Sequence, residues 1–435
     1  MSPSSREAIF VVIYPYKFTE FVWNLIELDE FKRFVDVQVW DISAITTPKF
    51  SKGVVTPRCS RSEVITFVSM RHYIIRLLDI RRQAAHKNIC ILNEITWTSL
   101  SESLCNLFLI FVLRNKNVKV FDLYNGGVPL VYPKDNENDY TSQKGSGFFS
   151  KLARLISSTN SRVELLRTLK MICSVFLTKL LSRIKIPTVL THRLVAGEQW
   201  LSLAKKDQKN EISNVCGHSH DFSNHLLAQK ISPSQESIGH KTAVFLSSAN
   251  PMFGSDEILH GGDQLFTSEV WYPALVRFFD FLEPATGVKV DVAGHYKSAF
   301  PAIAPCFGNR SVYYGKTQEM VRQSEFVITI ASTAISYAVL LKKPVIFIYS
   351  NQLKGNYEPM PTINGLAEML GTKPINIDDF PEDIQRYLKV DETKYAAYER
   401  EVLTSDPLGR PNFQIILEDI MGISAEDMAS STETK

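Results

Sequence analysis

Short runs of apolar and β-branched residues recur along this chain, separated by segments with helical periodicity. AIFVVIYP, VDVQVWDI, NICILNEI and VKVFDLYN are nearly continuous in their apolarity. Such runs suit strands covered on both faces, as in a parallel sheet, where successive strands need a crossover. VITFVSMRHYIIRLLDIRRQAA, between the second and third runs, has the pattern of a crossover helix. The alternation predicts a doubly wound α/β domain, with PTVLTHRLVAG (residues 187–197) as a further strand.

The polar stretch AQKISPSQESIGHK (residues 228–241) breaks the pattern and is the expected interdomain linker. Beyond it the alternation restarts: TAVFLSS, EVWYPALVRFFDFLE, VKVDVAG, TQEMVRQS, FVITIAS, AISYAVLLKK and PVIFIYS. A second Rossmann-like unit follows from this order. DETKYAAYEREVLTSD and NFQIILEDIMG predict two terminal helices, and SAEDMASSTETK is expected to fray. The expected organisation is two Rossmann-like α/β domains facing each other across a cleft. The first spans 1–230, the second 241–405, and 406–435 forms a C-terminal helix and tail able to cross back to the first.

The 435 residues are 45% hydrophobic and 22% charged, with a net charge of +2, which gives no reason to expect nucleic acid as a partner. Six scattered cysteines without a CxxC pair suggest reduced thiols and a cytoplasmic protein. The start, MSPSSREAIFVVIYPYKF, lacks a basic region followed by a long apolar core, so no leader is expected. LCNLFLIFVL (residues 104–113) is half a membrane span, and a core helix is expected there. Residues 151–185 carry eight basic residues against one acid, Glu164, with apolar residues at helical spacing. That composition fits either an anionic membrane surface or a solvated helix covering the core.

Two α/β domains in tandem bind ligands outside the carboxyl ends of their strands. Three junctions of the second domain therefore carry the candidate chemistry. Ser332 and Thr333 follow FVITIA and precede a helix, where hydroxyls serve either as caps or as an anion site. His295 and Lys297 follow VKVDVAG, with Gly294 permitting close backbone approach. This pair suits a phosphate or a departing oxygen, or is simply an exposed loop. The loop 247–266 holds Asp256, Glu257 and Asp263, any of which could take a proton from an incoming hydroxyl. CGHSHDFSNH (residues 216–225) contains Cys216, His218, His220, Asp221 and His225, all able to bind zinc. Its spacing matches no standard zinc motif, so a junction loop is expected and no metal. YNGGVP (residues 124–129) suits a tight crevice turn.

The order GHYKS, YYGKTQEMVRQSEFVIT, ASTAISYAVLLKKPVIFI resembles the nucleotide-binding half of GT-B glycosyltransferases that build bacterial surface polysaccharides, capsule and lipopolysaccharide. Sialyltransferase-like, Kdo-transferase-like and teichoic-acid glycerophosphotransferase-like enzymes share that layout. The resemblance covers residues 242–349, and HSHDFSNHLLA is also similar to a segment of the polysaccharide group. It implies a metal-independent transferase without a cofactor, and the basic segment 151–185 leaves open a cytoplasmic protein or one peripheral at the inner face of the cell membrane. The implied donor is a nucleotide sugar, CMP-linked ahead of UDP- or GDP-linked, and the implied acceptor a glycan or lipid-linked glycan. It implies His295 as the catalytic histidine and Ser332 and Thr333 at the donor phosphate, where the strand-end reading adds Lys297 and Gly294 and leaves Asp256 or Asp263 as base. The family's proline after the histidine is Tyr296 here, its histidine before the hydroxyl pair is Ala331, and its aspartate after the first strand is Ser247 or Ser248. These departures keep a polyol-phosphate transferase and a non-catalytic partner subunit open as alternatives, with a nucleotide-sugar epimerase behind them.

Overall fold

Two all-parallel sheets organise the chain in the computed structural model, which describes residues 8–48, 54, 56–96, 99–114, 117–124, 189–206, 212–230, 241–248, 250–251, 267–296, 306–353 and 359–432. The first sheet contains β1 (Ala8–Tyr14), β2 (Asp36–Asp41), β3 (Val64–Thr66), β4 (Asn88–Asn93), β5 (Val118–Tyr124), β6 (His192–Ala196) and β7 (Ser213–Gly217). Their order is β3-β2-β1-β4-β5-β6-β7. The second contains β8 (Thr242–Leu246), β9 (Lys289–Gly294), β10 (Val312–Tyr314), β11 (Val327–Thr329), β12 (Val345–Tyr349) and β13 (Ile375–Asn376), ordered β10-β9-β8-β11-β12-β13. The expected α/β fold of two Rossmann-like domains is therefore present. Strand order reverses between β1 and β4, and again between β8 and β11. Those two switch points open the crevices where such sheets take ligands.

Both faces of β1 are buried, which is why its sequence is apolar without alternation. Phe10 and Val12 join Trp23, Phe31 and the C-terminal residues Ile416, Leu417 and Ile420. Ile9, Val11 and Ile13 face Tyr73, Leu77 and Leu109 of the helices Met70–Gln83 and Leu100–Leu113. The second core gathers β8, β9, β11 and β12 around the helix Ser268–Thr286, and it includes Tyr395, Tyr398, Val402 and Leu403. The chain thus leaves the second core after Leu403 and returns to the first by way of Asn412–Met421.

Several local expectations need correcting. The helix pattern beginning at Val64 yields a short edge strand first, because Ser69 accepts from the His72 N–H and starts the helix at Met70. The expected linker begins inside a helix, His220–Lys230. The tail does not fray at Ser424: Asp427 accepts from the Ser424 hydroxyl at 2.8 Å, while the Ser424 oxygen accepts from the Asp427 N–H at 3.1 Å. This reciprocal cap starts the helix Ala425–Thr432, and Met428 anchors it in the first core. Leu100–Leu113 is helical as expected, yet Phe111 stays 80% exposed.

Candidate functional site

CGHSHDFSNH is neither a loop nor a ligand cluster. Its first residues end β7, and Ser219 accepts from the Phe222 N–H to start the helix His220–Lys230. His218 is fully buried and stacks on Phe222 at 4.6 Å. Its Nδ1 lies 2.9 Å from the Thr404 hydroxyl and its Nε2 2.8 Å from the Arg410 carbonyl. Burial holds its pKa below the ordinary value, so a neutral ring donates to the carbonyl and accepts from the hydroxyl. His225 pairs with Gln229 at 2.8 Å, and burial pushes His220 down to about 4 beside the Leu25 carbonyl. Among the described residues no three such side chains cluster as metal ligands. The segment binds the returning chain instead: Asn412 accepts from the His218 N–H and donates to its carbonyl.

The carboxyl ends of the two sheets meet at Tyr296, two residues beyond β9. Its ring stacks on His295 at 4.8 Å and on Phe21 of the first domain at 4.8 Å. Its carbonyl accepts from the Thr56 hydroxyl. A proline could not make this stack, so the departure at Tyr296 has a structural role across the cleft. The Tyr14 hydroxyl, closing β1, titrates well above its ordinary value because it is buried; Tyr296, Glu94, Tyr16 and Asp41 around it add to the shift.

Glu94 occupies the other side of the first switch point, immediately after β4. Burial, reinforced by Asp122, pushes its carboxyl up to about 7. Its Oε1 is buried and has no hydrogen-bond partner among the described residues. An acid that changes charge near neutrality and keeps one carboxyl oxygen unbonded can exchange a proton with a ligand. Sequence reasoning treated NICILNEI only as a strand. The available signal was a lone carboxylate at the carboxyl end of an apolar run.

At the second switch point, Ser332 and Thr333 follow β11. The helix begins one residue later than expected, at Ile335, with Ala334 in the N-cap position. Ser332 Oγ accepts from the Ala334 N–H at 3.2 Å, and the Thr333 carbonyl accepts from the Ser336 hydroxyl at 2.8 Å. Thr333 is exposed. Behind this turn lies Asp221, pushed up to about 7 by burial although the Tyr337 and Ser336 hydroxyls bond to it. Asp221 is thus a support for the helix Ile335–Leu340, not a ligand of a metal. Gly294 has a packing explanation: a Cβ there would lie 2.6 Å from the Tyr314 ring. Asp256, Glu257, Asp263, Lys297, the turn 125–129 and the basic segment 151–185 lie outside the described residues.

The fold defines a class: two-domain α/β proteins whose parallel sheets present their carboxyl ends to one another. No family model and no curated protein matches the chain. Among solved structures, S. aureus MnaA with UDP is 11% identical, with 96% of this chain and 98% of that one covered at a TM-score of 0.47. A Methanocaldococcus jannaschii UDP-GlcNAc 2-epimerase in complex with UDP-GlcNAc and UDP is 10% identical, covering 96% and 100% at 0.46. The glycosyltransferase SnogD from Streptomyces nogalater is 10% identical, covering 92% and 94% at 0.41. The fold follows from the strand order and pairings above, and these distant likenesses say nothing of a substrate.

Proposed function

We propose that the chain is a glycosyltransferase that moves a sugar from a nucleotide donor, CMP-linked ahead of UDP- or GDP-linked, to a surface glycan or its lipid-linked precursor. The observation that carries this is Glu94, whose carboxyl is pushed up to about 7 by burial at the switch point of the first sheet, where it and Tyr296 both act on the Tyr14 hydroxyl. Glu94 takes the acceptor hydroxyl's proton, the oxygen bonds to the anomeric carbon, and the bond from that carbon to the donor phosphate breaks. His295, Lys297 and the Ser332–Thr333 turn receive the departing phosphate's charge. Glu94 replaces Asp256 and Asp263 as the proposed base, since its environment accounts for a proton held near neutrality. The basic segment 151–185 is the proposed route to lipid-linked acceptors. Among the described residues no helix is long and apolar enough to cross a membrane.

Calorimetry of the full chain with CMP, UDP and GDP tests the donor side. Ser332→Ala combined with Thr333→Val is expected to weaken nucleotide binding by about 1–3 kcal/mol, the range for hydrogen bonds to a charged group. Equal affinity in the double variant, or no binding of any nucleotide, refutes the donor assignment. Product analysis with the preferred donor then requires a new glycosidic bond.

A further inference from the structure

We propose that the outward face of the helices Met70–Gln83 and Leu100–Leu113 docks on an anionic lipid surface. The proposal stands apart from the assigned activity. On the first helix Arg71, Ile75, Leu78 and Arg82 are all exposed, a spacing of four, three and four residues that forms one stripe. On the second, Leu104 and Phe111 are exposed, one heptad apart, with Leu107 and Phe108 half-exposed between them and Arg114 exposed just beyond the end. The two helices pack side by side on the same face of the first sheet, through Tyr73 and Leu77 from one and Cys105 and Leu109 from the other. Their solvent-facing stripes therefore form one surface.

Phe111 at 80% exposure has no packing reason to be aromatic, and Val68, just before the first helix, is 75% exposed. Exposed apolar side chains gathered on one face, instead of scattered singly, mark an interaction site. The charge around them selects the partner. Arginines lie at both ends of the surface, and Asp79, 3.1 Å from Arg82, is the only acid on the first helix. Glu102, the only acid on the second, is buried in its capping box. A second copy of the chain, meeting this face symmetrically, would bring like-charged rows together. The segment 151–185, with eight basic residues and one acid, has the wrong sign to cover it. Apolar side chains rimmed by arginines instead match the interface of an anionic bilayer, where the rings enter the headgroup region and the guanidinium groups meet phosphates.

Flotation of the full chain tests this with vesicles of phosphatidylcholine alone and of phosphatidylcholine mixed equally with phosphatidylglycerol. The wild type is expected to float with the mixed vesicles only, less so as salt rises and the charges are screened. Arg71→Glu with Arg114→Glu is expected to lower partitioning at least about 25-fold, since each arginine near such a surface is worth about five-fold. Leu104→Ser with Phe111→Ser is expected to lower it about ten-fold or more by removing the inserted apolar area. All four positions are exposed, so circular dichroism and melting should be unchanged. Equal binding to neutral vesicles overturns the proposal, as does wild-type partitioning by both double variants. Loss of binding only when Arg162, Arg167 and Lys170 are reversed assigns the membrane to the other segment. A lipid-free dimer that Phe111→Ser dissociates assigns this face to a second copy.

Discussion

Glu27→Gln should remove a specific part of the protein's pH-dependent stability. Glu27 sits at the turn between the helices Glu20–Leu25 and Leu28–Phe31 with φ of 62°, and is only 5% exposed. Its Oε2 accepts from the Phe413 N–H at 3.0 Å, tying the first domain to the returning C-terminal chain. Its Oε1 is buried without a partner among the described residues. Burial pushes the carboxyl from 4.5 up to about 7, outweighing the Ser223 hydroxyl and the Phe413 N–H, which favour the charged form. The folded-state pKa is thus raised. Between the two values the folded protein binds more protons than the unfolded chain, so stability falls as pH rises through that window and levels off above about 7. From about pH 5.5 to the plateau the change spans about 1.5 units, or about 2 kcal/mol at roughly 1.4 kcal/mol per unit. Glutamine keeps a carbonyl for the Phe413 N–H and cannot ionise. Urea unfolding at about pH 5.5 and about pH 8, followed by tryptophan fluorescence, should show the variant gaining about 2 kcal/mol on the wild type between the two conditions. Asp221 and Glu94 titrate in the same range in both proteins and cancel from the comparison. A difference between variant and wild type that is the same at both pH values refutes the reasoning.

The proposed base works only when ionised, so kcat/KM should rise with pH through about 7, the value to which burial pushes Glu94. Glu94→Gln should flatten that limb and lower kcat about 100- to 10,000-fold, the usual worth of a general base; a pH profile that keeps its limb in the variant removes Glu94 from the chemistry. His218→Ala deletes a buried ring bonded at both nitrogens, and should cost about 3 kcal/mol in denaturant unfolding. A variant that unfolds at the wild-type denaturant concentration refutes this structural role of His218.

How much of this could be read from the residues alone depends on the range of the interaction. Apolar runs such as AIFVVIYP and TAVFLSS predict strands because burial on both faces demands it of every parallel sheet, and their spacing predicts the crossovers between them. Local caps are equally legible: the box between Ser424 and Asp427 needs only neighbours three apart, and overlooking it turned a helix into an expected fray. The edge strands β3 and β10 were missed because none of their residues is buried, so they lack the apolar run that marked β11 and exist only by pairing with β2 and β9. The histidine-rich segment suggested ligands by composition, while its partners, Thr404, Arg410 and Asn412, arrive from nearly two hundred residues away. Glu94 is the sharpest case. Its residue type and its place at a strand's end are in the sequence, but its proton affinity is set by burial and by Asp122 on the next strand. The sequence by itself determined where the buried apolar strands and the longer helices form, and that they fall into two α/β units. Which side chains lose water and meet across the cleft was decided by tertiary structure, because desolvation and charge act through space between residues far apart in the chain.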